Sequence, residues 1–291
     1  MIKNTLKAVS LSVLLAACSG SGVSPSMKSL SSAWPLNLSG TEIIGGIEAV
    51  DTDEFSKTLV GLIDQEVGAL CTASIMSNEL IVTAAHCVTG ENDQGVVTNT
   101  PPENLVVVFG LNLFEEDKIQ ARKVVAVTVH SSWAEHSYDD FNTGDIAIVR
   151  FAGGLPAGYK PAQFLTKREA LTAGMPLRLA GYGISDGRAK NGEGLLRYVD
   201  NVPLKNPDFS ETEILLDQTS GRGACHGDSG GPAYVTVDGN VLVTGVTSRG
   251  HEDPLDLCNG GAAYTSIPAY TDWIVDSANQ LQDATSPAFS L

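Results

Sequence analysis

The sequence predicts an all-β fold, a barrel or a sandwich, finished by one helix near the C-terminus. Short β-branched and apolar runs recur at 80–83, 105–109, 124–129, 146–149 and 241–243, and turn-forming residues separate them. One stretch stands out with a helical period. Tyr270, Trp273, Ile274, Ser277, Ala278 and Leu281 follow i, i+3, i+4, i+7 spacing, and Pro268 stands near the start, which predicts a helix over 268–281. No internal repeat of fixed period is present. The chain has 291 residues, and from Ile43 onward there is enough of it for two small β domains or one large one.

The N-terminal region reads as an address and a connection. Lys3 and Lys7 precede an apolar run from Ala8 to Ala17 that is too short to span a bilayer as a stable helix, so residues 1–17 are expected to be an export leader. The run ends in Leu15-Ala16-Ala17-Cys18, which looks like a bacterial lipobox, in which the cysteine is diacylated and becomes the first mature residue. The plainer alternative is a signal peptide cleaved near Ala17, with Cys18 incidental. Residues 18–42 are rich in Ser, Gly and Pro without periodicity and read as a flexible linker or propeptide. The tail from Asp283, residues 283–291, is expected to be disordered.

Charge narrows the class of partner. Eighteen Lys+Arg stand against thirty-four Asp+Glu, a formal net charge of −16, and loss of Lys3 and Lys7 with the leader makes it more negative. Such a surface repels nucleic acid and anionic lipid and keeps an exported protein soluble. No basic patch or phosphate-binding glycine loop is present, so neither nucleic acid nor a nucleotide is expected as a ligand.

The chemistry is concentrated in Gly223-Ala224-Cys225-His226-Gly227-Asp228-Ser229-Gly230-Gly231-Pro232. Glycines around a serine let the backbone bend sharply, which exposes the hydroxyl and brings N–H groups together beside it. A serine needs a base to become a nucleophile, and the base needs an orienting group. Five histidines compete for that role: His130 is expected to close a strand, His136 and His251 to sit in polar loops, and His226 to lie on a rim facing substrate. His86, in Thr83-Ala84-Ala85-His86-Cys87, is the expected base. Asp145 leads into an apolar run, at the mouth of a buried strand, where its carboxylate must be hydrogen-bonded; the His86 ring is the expected donor. Asp139 and Asp140 lie in a polar stretch and are expected to be solvated. The order His86, Asp145, Ser229 disfavours the esterase arrangement, in which the histidine comes last.

On these motifs the chain, from Ile43 to about Gln282, resembles the chymotrypsin/trypsin-like serine endopeptidases. The resemblance implies two six-stranded antiparallel β-barrels, at about 43–150 and 151–267, with the catalytic cleft between them and the helix packed on one side. It implies a catalytic triad of His86, Asp145 and Ser229, and an oxyanion hole from the N–H groups of Gly227 and Ser229, where a side chain at 227 would crowd the substrate oxygen. It pairs Cys71 with Cys87 and Cys225 with Cys258, which leaves Cys18 as the odd cysteine of five and favours the lipid reading. A third disulfide common in relatives is absent, so the stretch from Asn206 to Gly223 is expected to be looser.

The resemblance also implies a zymogen. Cleavage before Ile43-Ile44-Gly45-Gly46 would release an α-amino group to pair with Asp228, and Glu42 ahead of the bond calls for an activating protease that cuts after glutamate. The primary pocket would be floored by Gly223, with Ala224 beside it, walled by Ser248, Arg249 and Gly250, and flanked by Ala262. Without a carboxylate at Gly223, preference for Lys or Arg is disfavoured, and Gly and Ala suit apolar side chains of small to medium size. Arg249, where relatives usually have tryptophan, and His226 are the departures that would favour an acidic side chain instead, and the inserted loop 251–257 is placed to cover the rim. The expected partners are protein or peptide substrates, an activating protease and, through Cys18, a membrane; no cofactor or metal is expected, and a monomer is. The competing reading is a catalytically silent homologue acting as a binding lipoprotein, which the complete set His86, Asp145, Ser229 and Gly227 argues against.

Overall fold

The computed structural model describes residues 43–92, 94–135, 141, 143–282 and 287–291. The leader, Cys18, Glu42, His136, Asp139 and Asp140 lie outside them. Six strands close the first barrel: β1 (Leu59–Asp64), β2 (Ala69–Ile75), β3 (Leu80–Thr83), β4 (Leu105–Phe109), β5 (Gln120–Val129) and β6 (Ala147–Phe151), in the order β1-β2-β3-β6-β5-β4 with β4 returning to β1. Closure leaves no free sheet edge and turns inward a core of Leu59, Leu62, Ile75, Ile81, Val107, Ile148 and Phe151.

The second barrel is built from β7 (Pro176–Gly181), β8 (Arg197–Asn206), β9 (Glu213–Asp217), β10 (Pro232–Val237), β11 (Asn240–His251) and β12 (Gly261–Ser266). Their order is β8-β7-β10-β11-β12-β9, and β8 pairs back with β9 to close the ring; the two-residue strand Ile47–Glu48 adds to the outside of β8. The fold is therefore two six-stranded antiparallel barrels and a C-terminal helix. That helix, α1 (Thr271–Leu281), follows a 3-10 turn at Ile267–Tyr270 and buries Ile274, Ser277 and Ala278 against the first barrel, although it leaves from the second. Among the described residues no helix is long and apolar enough to cross a membrane.

Three expectations change. The stretch 206–223 is not loose: it contains β9, paired along its whole length with β12. The Arg168 guanidinium does there what a disulfide would do, donating to the carbonyls of Pro207, Ser210 and Glu213 at 2.6 to 3.3 Å and also to that of Glu211. His251 ends strand β11 and does not sit in a loop. The tail returns to the body at 287–291, where Asn279 exchanges hydrogen bonds with the backbone of Phe289, and Phe289 and Leu291 pack on the core.

Candidate active site

Strand register brings His86 to Asp145. β3 and β6 run antiparallel with Thr83 opposite Ala147, so His86, just past the end of β3, lands beside Asp145, just before the start of β6. A 3-10 turn at Ala85–Cys87 carries His86, and the Cys71–Cys87 disulfide, with Cα atoms 6.1 Å apart, ties that turn to β2. This bridge closes a loop of sixteen residues, which stabilises by about 3 kcal/mol through the unfolded chain.

Asp145 is fully buried, and every contact of its carboxylate is a donor. Oδ1 accepts from the His86 backbone N–H at 3.0 Å, and Oδ2 accepts from His86 Nδ1 at 2.8 Å and from the Ser248 hydroxyl at 2.7 Å. The Thr265 hydroxyl holds the Asp145 carbonyl at 2.8 Å. Burial opposes ionisation, but the His86 charge and these hydrogen bonds outweigh it and keep the Asp145 carboxyl below its usual range. Burial likewise lowers the affinity of the His86 ring for a proton, and the charge and hydrogen bond of Asp145 reverse this, so its pKa lies above the ordinary 6.5. Ser248 reaches Asp145 because the β11–β12 register shifts between Thr247 and Arg249, a bulge that re-aims it.

Ser229 belongs to the tight loop before β10 and shares a cleft of about 340 Å³ with His86. The first barrel holds this loop through Thr72: its N–H donates to the Ser229 carbonyl at 2.8 Å, its hydroxyl donates to the Gly227 carbonyl at 3.0 Å, and that hydroxyl accepts from Tyr182 N–H at 3.1 Å. Gly227 has φ +91°, a left-handed conformation, and a Cβ there would come within 2.9 Å of Gly183 Cα. The need for glycine is thus already set by the protein backbone. Among the described residues, no protein group takes the N–H of Gly227 or Ser229, and no hydrogen bond joins the Ser229 hydroxyl to the ring of His86. Contacts between nucleophile and base are often long without substrate and tighten when it binds.

Asp228 turns away from the cleft. Its carboxylate accepts from Gly183 N–H and Cys225 N–H, each at 2.8 Å. Burial pushes its pKa up to about 7 in spite of those bonds and the nearby charge of Arg197. The Ile43 side chain is fully buried in the second-barrel core, and Ile44 bridges to Gly223.

Of the expected pocket residues, Ala224, Ser248, Arg249, Gly250 and Ala262 line the cleft; Gly223 does not, and Gln218 stands in that place. Arg249 is clamped by Glu213, with Nη1–Oε1 at 2.6 Å and Nη2–Oε2 at 3.1 Å, and the Glu213 side chain is 1% exposed. At the mouth, Asp256, in the loop that follows β11, lies 2.9 Å from His226 Nε2 and 2.7 Å from Lys190 Nζ, while Asp253 accepts from the Cys258 and Leu257 N–H groups. The Cys225–Cys258 disulfide ties this loop to the serine loop, with Cα atoms 5.3 Å apart. Among the described residues, two clusters bring a histidine beside two cysteines, but in each both sulfurs are spent in a disulfide and offer no thiolate to a metal.

Glu213, Gln218, Thr72 and the Lys190–Asp256 pair were not legible as site residues. Glu213 had a signal: an arginine in a half-buried wall needs a counter-charge. The others announce themselves only through contacts across long stretches of chain.

Here an imidazole held at Nδ1 by a buried carboxylate lines a cleft that also holds a serine in a glycine-rich loop. Set at the seam of two closed barrels, this arrangement defines a serine hydrolase. Comparison with known sequences narrows the class. The sequence model of the trypsin family, described as "Trypsin", matches residues 43–274, and the chain belongs to that family of serine proteases. Brachyurin of Leptuca pugilator is 29% identical over 244 residues, 80% of this chain and 96% of its own length. Trypsin-1 of Astacus astacus is 26% identical over 257 residues, covering 81% of this chain and 100% of its own. Chymotrypsin-like elastase family member 1 of Macaca fascicularis is 26% identical over 220 residues, 70% and 77% of the two chains.

Proposed function

We propose an exported endopeptidase, made as a zymogen, that cleaves after apolar side chains of small to medium size. The observation that carries the mechanism is the buried Asp145 carboxylate holding His86 Nδ1 at 2.8 Å in the cleft of Ser229. In this reading the Ser229 hydroxyl attacks the acyl carbon and its proton passes to His86 Nε2. Asp145 stays ionised, fixing the tautomer and stabilising the imidazolium. The N–H groups of Gly227 and Ser229 receive the negative oxygen of the tetrahedral intermediate, where loss of one donor typically costs about 3 kcal/mol. His86 then gives the proton to the leaving amine, and water, activated by the same ring, releases the acyl group.

The preference rests on which charges in the cleft are already met. Arg249 is paired with Glu213, and His226 and Lys190 both face Asp256, so among the described residues of the cleft and its mouth each of these cations already meets a carboxylate that an acidic side chain would have to displace. The site positions 223 and 224 are Gly and Ala, without the carboxylate that would favour Lys or Arg. Activation is proposed to cut Glu42–Ile43, so that the new ammonium meets the buried Asp228; if Cys18 carries lipid, the same cut frees the enzyme from its membrane. The test is to express the chain so that it begins at Ile43 and profile it against a peptide library, with Ser229→Ala as the control. Undiminished cleavage by Ser229→Ala refutes the mechanism, and cleavage confined to Lys, Arg, Asp or Glu refutes the preference. Following N-terminal sequence together with detergent-free fractions tests the release. Active enzyme that begins elsewhere than Ile43, or stays bound, overturns it.

A further inference from the structure

We infer that Gln218, and not the residue at 223, sets the depth of the primary pocket and is its specificity-determining side chain. The inference rests on the reading of this cleft as the pocket for the residue whose carbonyl is attacked.

Gln218 directly follows strand β9 and lines the wall of the cleft, where it is 2% exposed. Its amide is held at both ends. Oε1 accepts from Ala224 N–H at 2.8 Å, and Nε2 donates to the Ala224 carbonyl at 3.1 Å and to the Cys258 carbonyl at 3.5 Å. The backbone is fixed as well: Gln218 N–H donates to the Gly260 carbonyl at 3.0 Å, and the Gln218 carbonyl accepts from Gly221 N–H at 2.9 Å. With every polar atom of the amide engaged, the side chain acts as a neutral, ordered plug, and it joins the two segments bridged by Cys225–Cys258.

The glycine at 223 follows from this plug. A Cβ on Gly223 would run into Cγ, Cδ and Oε1 of Gln218, so the two positions compete for one volume. Gln218 holds it and Gly223 yields it. Consequently a carboxylate placed at 223 has nowhere to go while Gln218 stays. Shortening Gln218 opens space under Ala224 that a larger substrate side chain can enter. A methylene of added reach in an apolar pocket changes selectivity by roughly 10- to 200-fold.

The experiment measures kcat/KM on peptide amides that differ only in the primary residue (Ala, Val, Leu, Phe, Tyr, Lys, Arg), with active sites counted by a serine-directed phosphonate. Enzyme beginning at Ile43 is compared with Gln218→Ala, Gln218→Asn, Gln218→Met, Gly223→Asp and the pair Gly223→Asp/Gln218→Ala. Gln218→Ala is expected to raise Phe and Tyr relative to Ala and Val by tenfold or more. Gln218→Asn moves the same way by less, so a folding failure of the alanine variant does not end the test. Gln218→Met loses the same amide but keeps the volume, and it should retain the parent ranking, which separates filling from loss of hydrogen bonds. Gly223→Asp alone should gain nothing on Lys or Arg, and the pair should gain. An unchanged ranking in both Gln218→Ala and Gln218→Asn, or Lys and Arg cleavage by Gly223→Asp alone, overturns the assignment of Gln218. A parent that prefers Lys or Arg overturns instead the reading of an apolar pocket.

Discussion

Removing the Ser248 hydroxyl tests how the buried acid is held. Asp145 has no solvent contact, and its carboxylate takes three donors, two from His86 and one from Ser248. In Ser248→Ala, Oδ2 keeps only the ring of His86, while Thr265 still fixes the Asp145 backbone, so the acid stays in place with one bond fewer. A hydrogen bond to a charged group contributes about 1.5–3 kcal/mol. The carboxylate matters most when the imidazolium forms, so the loss should fall on kcat, by roughly 10- to 100-fold at about 1.4 kcal/mol per tenfold. The assay is amide hydrolysis by titrated enzyme, with Ser248→Thr, which restores a hydroxyl, recovering most of the rate. A kcat for Ser248→Ala within twofold of the parent, at equal active-site count, would show that Ser248 does not support Asp145, and the account of the acid would fall.

Three further outcomes are expected. Because His86 must be neutral to accept a proton and Asp145 holds its pKa above 6.5, kcat/KM should rise with pH through a midpoint above 6.5; a midpoint at or below 6.0 contradicts the pairing. In the uncut chain carrying Ser229→Ala, Asp228 has a folded pKa of about 7 against an ordinary 3.8. The neutral acid favours the fold at low pH, and that stability is lost as pH rises from about 4 through about 7. Melting should therefore be higher at pH 5 than at pH 8, and Asp228→Asn should narrow the difference; equal slopes in both proteins refute this. Glu213→Gln takes the buried carboxylate away from Arg249, and breaking a buried pair typically costs about 3–5 kcal/mol, whereas Glu213→Leu/Arg249→Leu should cost less; denaturant titrations showing an additive double loss would reject the pair as the cause.

How much of this was legible depends on the range of the signal. Strands β3 and β4 are unbroken apolar runs and stood out at their observed bounds. Strand β11 spans Asn240–His251, but only Val241 to Val243 read as strand, because Gly245, Ser248 and Arg249 break the run and each is explained by a partner elsewhere. Strand β9 begins on a glutamate whose buried carboxylate is met by Arg249 and the Ser210 hydroxyl, so its segment read as loop. The helix was clear, since period and packing agree along its length. Within the site, the glycine-rich serine segment and the Ala-Ala-His-Cys setting carry local chemistry that sequence displays. Gln218 does not: a lone polar residue after a strand looks like a turn until Ala224 and Cys258 are seen around it.

Thr72 limits how freely the two barrels can be recombined. It belongs to the first barrel and neighbours Cys71, which anchors the turn of His86, yet its backbone and hydroxyl hold the carbonyls of Ser229 and Gly227 in the second. Thr83 grips its carbonyl from β3. A chimera that took one barrel from a distant relative would have to bring a donor of the same reach at this position, aimed at the same two carbonyls. Otherwise the loop of Ser229 would lose its hold on the first barrel, which carries His86. Thr72 is one joint of several along this seam: Ser248 and Thr265 of the second barrel hold Asp145 of the first, and one apolar cluster draws residues from both.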